Sequence, residues 1–274
     1  MVKDSFFNSF WPETQLAIQL AQQAGDAVME IYGENEESRL KEDKEPVTAA
    51  DLKSQFILAK GLGLTGYPIL SEEAEDDKTR LHHKKVWIID PLDGTIGFIN
   101  KDGDFAIQIA LVDNCVPVIG IVYQPASNTW YIAQKGTGAY KWHDGVWKKL
   151  KVTSTTDIAA LRAVISRNHL SDKETSFLKA LGIGNCVQRG GCGLKAVEVA
   201  SGNAELYFSF TNRIKQWDTC APYCIVIEAG GNMTDMRGEK LQYNFKALNH
   251  ENGILVTNGN IHQQILIKAS PDFI

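Results

Sequence analysis

The sequence predicts an α+β first half that passes into alternating α/β in the second half. Three observations predict it. Amphipathic helical spacing opens the chain, a block of β signals broken by turn residues fills Phe105 to Tyr140, and strand and helix patterns alternate afterwards. With 274 residues the chain can form one large domain or two packed subdomains. The change of rhythm falls near residue 150, in the turn-rich YKWHDGVWKK, so subdomains 1–150 and 151–274 are expected.

Glu13 to Tyr32 reads as a helix because Leu16, Leu20, Ala24, Ala27, Val28 and Ile31 recur at helical spacing. Pro12 suits a first turn and Gly33 a stop. Residues 34–45 are dense in charge and read as an exposed loop around a short edge strand. A second helix is expected over 49–64, starting near Thr48 and Asp51, then a short strand, YPILS, at 67–71. The apolar run at 87–90 is a further strand. IQIALV, PVIGIVY and TWYIAQ, separated by DNC and QPASN, read as an antiparallel meander. In the second half, strands are expected at 163–167, 205–209 and 254–258. Helices are expected at 171–181, 193–201, 217–229 and 260–268.

Net charge is −5, and no basic footprint for a nucleic-acid polymer is present. No stretch approaches the roughly 20 apolar residues of a membrane span. The opening MVKDSFFNSFWPETQ lacks the basic and apolar regions of an export signal. A cytoplasmic location is expected, free or at the membrane periphery. The five cysteines, Cys115, Cys186, Cys192, Cys220 and Cys224, contain no C-x-x-C pair and read as buried or half-buried thiols. No stretch marks a dimer face, so oligomeric state is left open.

The chemistry concentrates in DPLDGT, residues 90–95. Pro91 forces the chain before it toward extended geometry and a sharp turn follows. Asp90 and Asp93 can then converge with the Leu92 carbonyl between them, a hard-oxygen set suited to Mg²⁺. Gly94 and Thr95 open a short helix whose first N–H groups could face a phosphate. An ordinary aspartate cap is the plainer reading of D-G alone. Glu72 or Glu73 would reach Asp90 if the ILS strand runs beside the 86–90 strand; chemistry alone does not separate the two. Asp51 and Asp218 each begin an expected helix and could be simple helix-start carboxylates.

Four ordered motifs, PVTAAD (46–51), SEE (71–73), WIIDPLDGT (87–95) and WDTCAPYCIVIEAGG (217–231), together resemble the inositol monophosphatase superfamily of Mg²⁺-dependent, Li⁺-sensitive phosphatases. The resemblance implies a layered α-β-α-β-α sandwich of the inositol monophosphatase and fructose-1,6-bisphosphatase type. It implies two or three Mg²⁺ ions held by Glu72, Asp90, Asp93, Asp218 and the Leu92 carbonyl, and it selects Glu72 over Glu73. It assigns phosphate binding to Gly94 and Thr95, and assigns Asp51, paired with the Thr95 hydroxyl and aided by Glu72, to activation of the attacking water. Asp93 and Asp218 would also face the substrate.

Within the superfamily the chain is more similar to CysQ-type 3′(2′),5′-bisphosphate nucleotidases. TIGF (95–98), ISRNH (165–169) and GLKAVEVASGNAELYF (193–208) carry that similarity. Ile96 departs from the usual Lys, Cys192-Gly193 from a Ser pair, and Cys220 from an Ala. The expected substrate is a small phosphomonoester, adenosine 3′,5′-bisphosphate, yielding AMP and phosphate. Arg167, His169 and Lys195 are the candidate cations for its second phosphate, with Arg189, Arg213 and Lys215 as further possibilities. The competing readings are an inositol or broader sugar-phosphate phosphatase, an inositol-polyphosphate or fructose-bisphosphate hydrolase, and a catalytically silent metal or nucleotide sensor that would have lost a ligand.

Overall fold

The computed structural model describes residues 5–33, 39–40, 46–269 and 273. Most of the charged segment 34–45 thus lies outside the described residues. The chain begins with α1 (Pro12–Tyr32), a ribbon of β1 (Arg39–Leu40) against β2 (Pro46–Val47), and α2 (Ala49–Leu62). There follow β3 (Ile69–Ser71), β4 (Lys85–Asp93), the short α3 (Thr95–Ile99), β5 (Ala106–Asp113), β6 (Val116–Gln124), β7 (Thr129–Gln134), β8 (Gly138–His143) and β9 (Val146–Lys149). The second half runs β10 (Arg162–Ser166), α4 (Asp172–Leu181), β11 (Asn185–Arg189), α5 (Cys192–Ala200) and β12 (Leu206–Ser209). It ends with α6 (Gln216–Glu228), β13 (Asn232–Thr234), β14 (Ile254–Thr257) and α7 (His262–Ala269).

The strands form a seven-stranded sheet in the order β3 to β9 and a five-stranded sheet in the order β11-β10-β12-β14-β13. In the larger sheet β3 runs parallel to β4 and the rest is the expected antiparallel meander. Side-chain alternation assigns the two faces. Trp87, Ile89, Ile107, Ile109, Ile121 and Ile132 pack with Ala17, Ala21 and Val28 of α1 and Leu58 and Leu62 of α2. Val86, Ile88, Ala106, Ala110 and Val122 face the other way, onto Ala196 and Val199 of α5 and Ala221 and Ile225 of α6. The same two helices cover Val164, Tyr207, Ile254 and Val256 of the smaller sheet. Its far face, with Ala163, Leu206, Phe208 and Leu255, packs on Phe177 and Leu181 of α4 and Ile265 of α7. The layers are therefore α-β-α-β-α, as expected. Both faces of the larger sheet are buried, which is why its strands read as near-continuous apolar runs.

Four strands of the two large sheets were not anticipated, β8, β9, β11 and β13. β8 lies in the stretch read as turn-rich, and the other three are sheet edges. Edge strands need less apolar burial, and β9 and β11 are largely polar and exposed. Cys115 also departs from expectation. It is exposed, in the turn between β5 and β6, while Cys192, Cys220 and Cys224 are buried. All five thiols are free.

The middle helix layer approaches the larger sheet closely at Gly120. A Cβ there would overlap the Ala221 carbonyl oxygen and lie 2.8 Å from the Cys224 Cβ. Neither neighbour is the far end of a flexible chain. Gly120→Val should therefore push α6 off β6, costing about 3 kcal/mol, the upper end of overpacking penalties. Thermal denaturation should show a melting temperature lower by about 6–12 °C; an unchanged value would mean that α6 slides freely.

Candidate active site

β4 does not stop at Asp90 as its sequence suggested; it pairs with β5 as far as Asp93. The pairing Asp90↔Gln108 and Asp93↔Ala106 crosses three steps on β4 but two on β5. The extra residue is a β-bulge, placed where Pro91 has no N–H to give the ladder. Its effect decides the site. Residues three apart on a regular strand point to opposite faces. One added residue returns Asp93 to the face of Asp90, and that face looks into the α5–α6 layer. The Leu92 N–H donates to Asp90 Oδ1 at 3.0 Å, and the Ser54 hydroxyl of α2 donates to the Pro91 carbonyl at 2.8 Å, fixing the bulge from both sides.

Gly94 follows in the left-handed region, with φ +92°. A Cβ there would lie 2.6 Å from the Asp104 carbonyl oxygen, so both conformation and space demand glycine. It turns the chain into α3, whose first N–H groups have no intrahelical acceptor.

Glu72 is the first residue after β3. The register Ser71↔Ile89 carries it level with Asp90, confirming the strand pairing read from the sequence. Asp218 lies in the first turn of α6, where its Oδ2 accepts the Lys215 N–H at 2.7 Å. Asp93 crosses between the halves. Its Oδ1 accepts the Cys192 N–H at 2.9 Å, and its Oδ2 accepts the Gly193 N–H at 2.7 Å and the Gln108 Nε2 at 2.9 Å.

Asp51, 2 % exposed, sits in the first turn of α2. Its Oδ2 accepts the Thr48 N–H and hydroxyl at 2.8 and 2.6 Å. The Thr95 hydroxyl lies 3.2 Å from Asp51 Oδ1 and 3.3 Å from the Leu92 carbonyl, and donates to one at a time.

These carboxylates act on one another. Burial holds Asp90 well above the usual carboxylate range, and the charges of Glu72, Asp93 and Asp218 raise it further. Asp218 is raised well above that range by burial, then by Glu72 and Asp93. Burial also raises Asp51, with Glu72 adding to it against the Thr48 hydrogen bonds. Asp93 is raised by burial, against the Lys195 charge and its three donors. Glu72 is thus the member of the Glu72–Glu73 pair whose charge acts on Asp51, Asp90 and Asp218. Among the described residues no three His, Cys, Asp or Glu side chains are drawn to closed metal-ligand spacing. The donor set is nevertheless carboxylates and a carbonyl that repel one another at close quarters. That chemistry fits a hard divalent cation.

The candidate substrate cations are placed differently. Arg167 does not stand free, because its guanidinium pairs with Asp102 at 2.8 Å and Asp104 at 2.7 Å. Arg189 pairs with Asp104 and Glu198. Lys195 is buried, with Nζ donating to the Gly191 carbonyl and lying 5.3 Å from the Tyr207 ring centre. His169 and Arg213 are exposed, and Lys215 Nζ lies 5.2 Å from the Trp217 ring centre. Sequence reasoning missed Gln108 and Asp104. Gln108 had a signal, as the lone polar residue inside the apolar run AIQIALV. Asp104, buried and accepting the Gly190 N–H at 3.0 Å, had none apart from its turn context.

Residues 12–273 match the sequence profile of the inositol monophosphatase family. The chain belongs to that family. Within it, the chain is 39% identical over 230 residues to the 3′(2′),5′-bisphosphate nucleotidase CysQ of Salmonella typhimurium, covering 82% of this chain and 91% of that protein. The crystal structure of CysQ from Bacteroides thetaiotaomicron, a bacterial member of the family, superposes with a TM-score of 0.78 at 32% identity, over 92% of this chain and 99% of that one. The suhB protein of Bartonella henselae gives a TM-score of 0.81 at 24% identity, over 96% of this chain and 100% of that one, and so shares the family fold.

Proposed function

We propose that this chain is a Mg²⁺-dependent phosphomonoesterase acting on 3′(2′),5′-bisphosphorylated nucleotides, converting adenosine 3′,5′-bisphosphate and water to AMP and phosphate. One observation carries the phosphatase reading: the bulge in β4 turns Asp90 and Asp93 onto one face, beside Glu72 and Asp218 and next to the Asp51–Thr95 pair. The nucleotide substrate is supported by relatives at 38–39% identity that carry the bisphosphate nucleotidase name.

Glu72, Asp90, Asp93, Asp218 and the Leu92 carbonyl would hold two or three Mg²⁺ ions. Bound there, Mg²⁺ neutralises the phosphate oxygens and lowers the pKa of the attacking water. The chain's own residues supply the rest. The Thr95 hydroxyl and Asp51 Oδ1 orient the water, and Asp51, whose carboxyl burial raises, accepts its proton through Thr95. Gly94 lets the phosphoryl group reach the N–H groups at the start of α3. The ester P–O bond breaks as the water oxygen bonds to phosphorus, the ribose 3′-oxygen leaves and takes a proton from solvent, and Asp51 returns the proton it accepted to solvent.

The pairing of Arg167 with Asp102 and Asp104 favours a second reading, a broader inositol- or sugar-phosphate phosphatase, because it removes one candidate partner of a second phosphate. Phosphate release with Mg²⁺ separates the two. Adenosine 3′,5′-bisphosphate should exceed inositol 1-phosphate and fructose 1,6-bisphosphate in kcat/KM by about tenfold or more, as one extra charged contact gives. If it is the poorest of the three, the nucleotide assignment is wrong.

A further inference from the structure

Glu72 and Asp218 enter the site from opposite halves of the chain. Glu72 lies beyond the last ladder bond of β3, on a segment with no helix or strand before residue 79. Asp218 lies in the first turn of α6. A buried chain of side chains joins these two carriers, and it is centred on Arg80.

Arg80 is 1% exposed. Its Nε and Nη2 donate to Asp76 Oδ1 and Oδ2 at 3.0 and 2.8 Å, a two-point contact four residues after Glu72. Nη1 donates to Asn244 Oδ1 at 3.0 Å, and Nη2 also donates to the Phe245 carbonyl at 3.0 Å. Asn244 Nδ2 returns two bonds, to the carbonyls of Arg80 and His83, both at 3.2 Å. The Asn244 N–H donates to Gln216 Oε1 at 2.8 Å, and Gln216 Nε2 donates to the carbonyls of Phe245 and Ala247 at 3.0 and 2.7 Å. Gln216 is the first residue of α6, two before Asp218.

A buried guanidinium is costly unless its donors are paired, and here the acceptors come from both halves. The path Asp76–Arg80–Asn244–Gln216 therefore ties the Glu72 segment to the start of α6. Glu72 and Asp218 act on each other as like charges, so left alone they would separate. A clamp that resists this separation prepares the site for a cation.

We propose that Arg80 is a positioning residue that fixes the spacing of Glu72 and Asp218 and thereby sets the affinity of the site for Mg²⁺. The proposal rests on the metal-dependent reading above.

The test is a Mg²⁺ titration of the full chain, followed by calorimetry and by thermal shift, on wild type, Arg80→Lys and Asp76→Asn. Lysine keeps the charge, but one ammonium cannot bridge Asp76, Asn244 and the Phe245 carbonyl together. Arg80→Lys should weaken Mg²⁺ binding about tenfold, the lower end of the cost of losing a direct partner of a metal ligand, because Arg80 acts through Asp76 and Gln216. At saturating Mg²⁺ its kcat should recover to within about threefold of wild type, since the ligands themselves are intact. Asp76→Asn, at the less buried end, should weaken binding less than Arg80→Lys does. A lowered melting temperature with unchanged Mg²⁺ affinity in both variants would reduce Arg80 to a structural role and overturn the proposal. Should Arg80→Lys not fold, unchanged affinity in Asp76→Asn overturns it alone. No Mg²⁺ binding by wild type would overturn the metal reading and this one together, whereas wild-type binding matched by both variants overturns only this one.

Discussion

Asp90→Asn is expected to abolish phosphate release, by at least about 10³-fold or ~4 kcal/mol in the barrier, and at the same time to make the metal-free protein more stable. Asp90 is 1% exposed, and burial together with Glu72, Asp93 and Asp218 holds its pKa well above that of a free aspartate. A carboxyl raised in this way contributes stability below its unfolded pKa and loses it as pH rises through the folded pKa. At neutral pH the ionised form therefore opposes folding of the metal-free chain. Asparagine removes the charge and keeps an Oδ1 that can accept the Leu92 N–H. A gain of about 2 kcal/mol, some 4–8 °C in melting temperature, should appear at pH 7.5 and vanish near pH 4. Activity within tenfold of wild type would remove Asp90 from the site.

Asp93→Asn is a poorer probe. Three donors converge on Asp93, two of them backbone N–H groups of α5. An amide there presents its own N–H₂ to a donor, leaving a buried group unsatisfied at a cost of about 1–3 kcal/mol. Lost turnover in that variant would mix lost chemistry with a loosened joint between halves.

Chelation should have the second large effect. Removing divalent cations should lower phosphate release by at least about 10³-fold, and added Mg²⁺ should restore it. At 100 times its dissociation constant, Mg²⁺ should stabilise the folded protein by about 2.7 kcal/mol, and this shift should be lost in Asp90→Asn. Full activity in the presence of chelator would contradict the donor chemistry of Glu72, Asp90, Asp93 and Asp218. A melting temperature blind to Mg²⁺ would do the same.

Much of this was legible in the sequence because it lies in local patterns. Helical spacing located α1, and Thr48 and Ser171 cap the helices they precede. DPLDGT located the carboxylates because proline, glycine and acid are unusual at the end of an apolar strand. The bulge was not legible. Whether Asp90 and Asp93 share a face depends on how β4 pairs with β5, and β4's own residues do not contain that register. The joint between Asp93 and α5 was hidden for a similar reason. It uses backbone N–H groups of Cys192 and Gly193, which every sequence possesses. The ion pairs of Arg167 were hidden because its partners, Asp102 and Asp104, are more than sixty residues earlier. Nothing in ISRNH marks a neutralised cation.

The central helices serve two sheets at once, and that constrains how the protein is made. The last strand of the larger sheet ends at Lys149, but α6, which covers its inner face, is complete only at Glu228. During synthesis that face must wait for roughly ten seconds at ordinary elongation rates. Through that interval Val86, Ile88, Ala110 and Val122 of the nascent chain lack the helix that later covers them. A chaperone that shelters emerging sheets would find its client here.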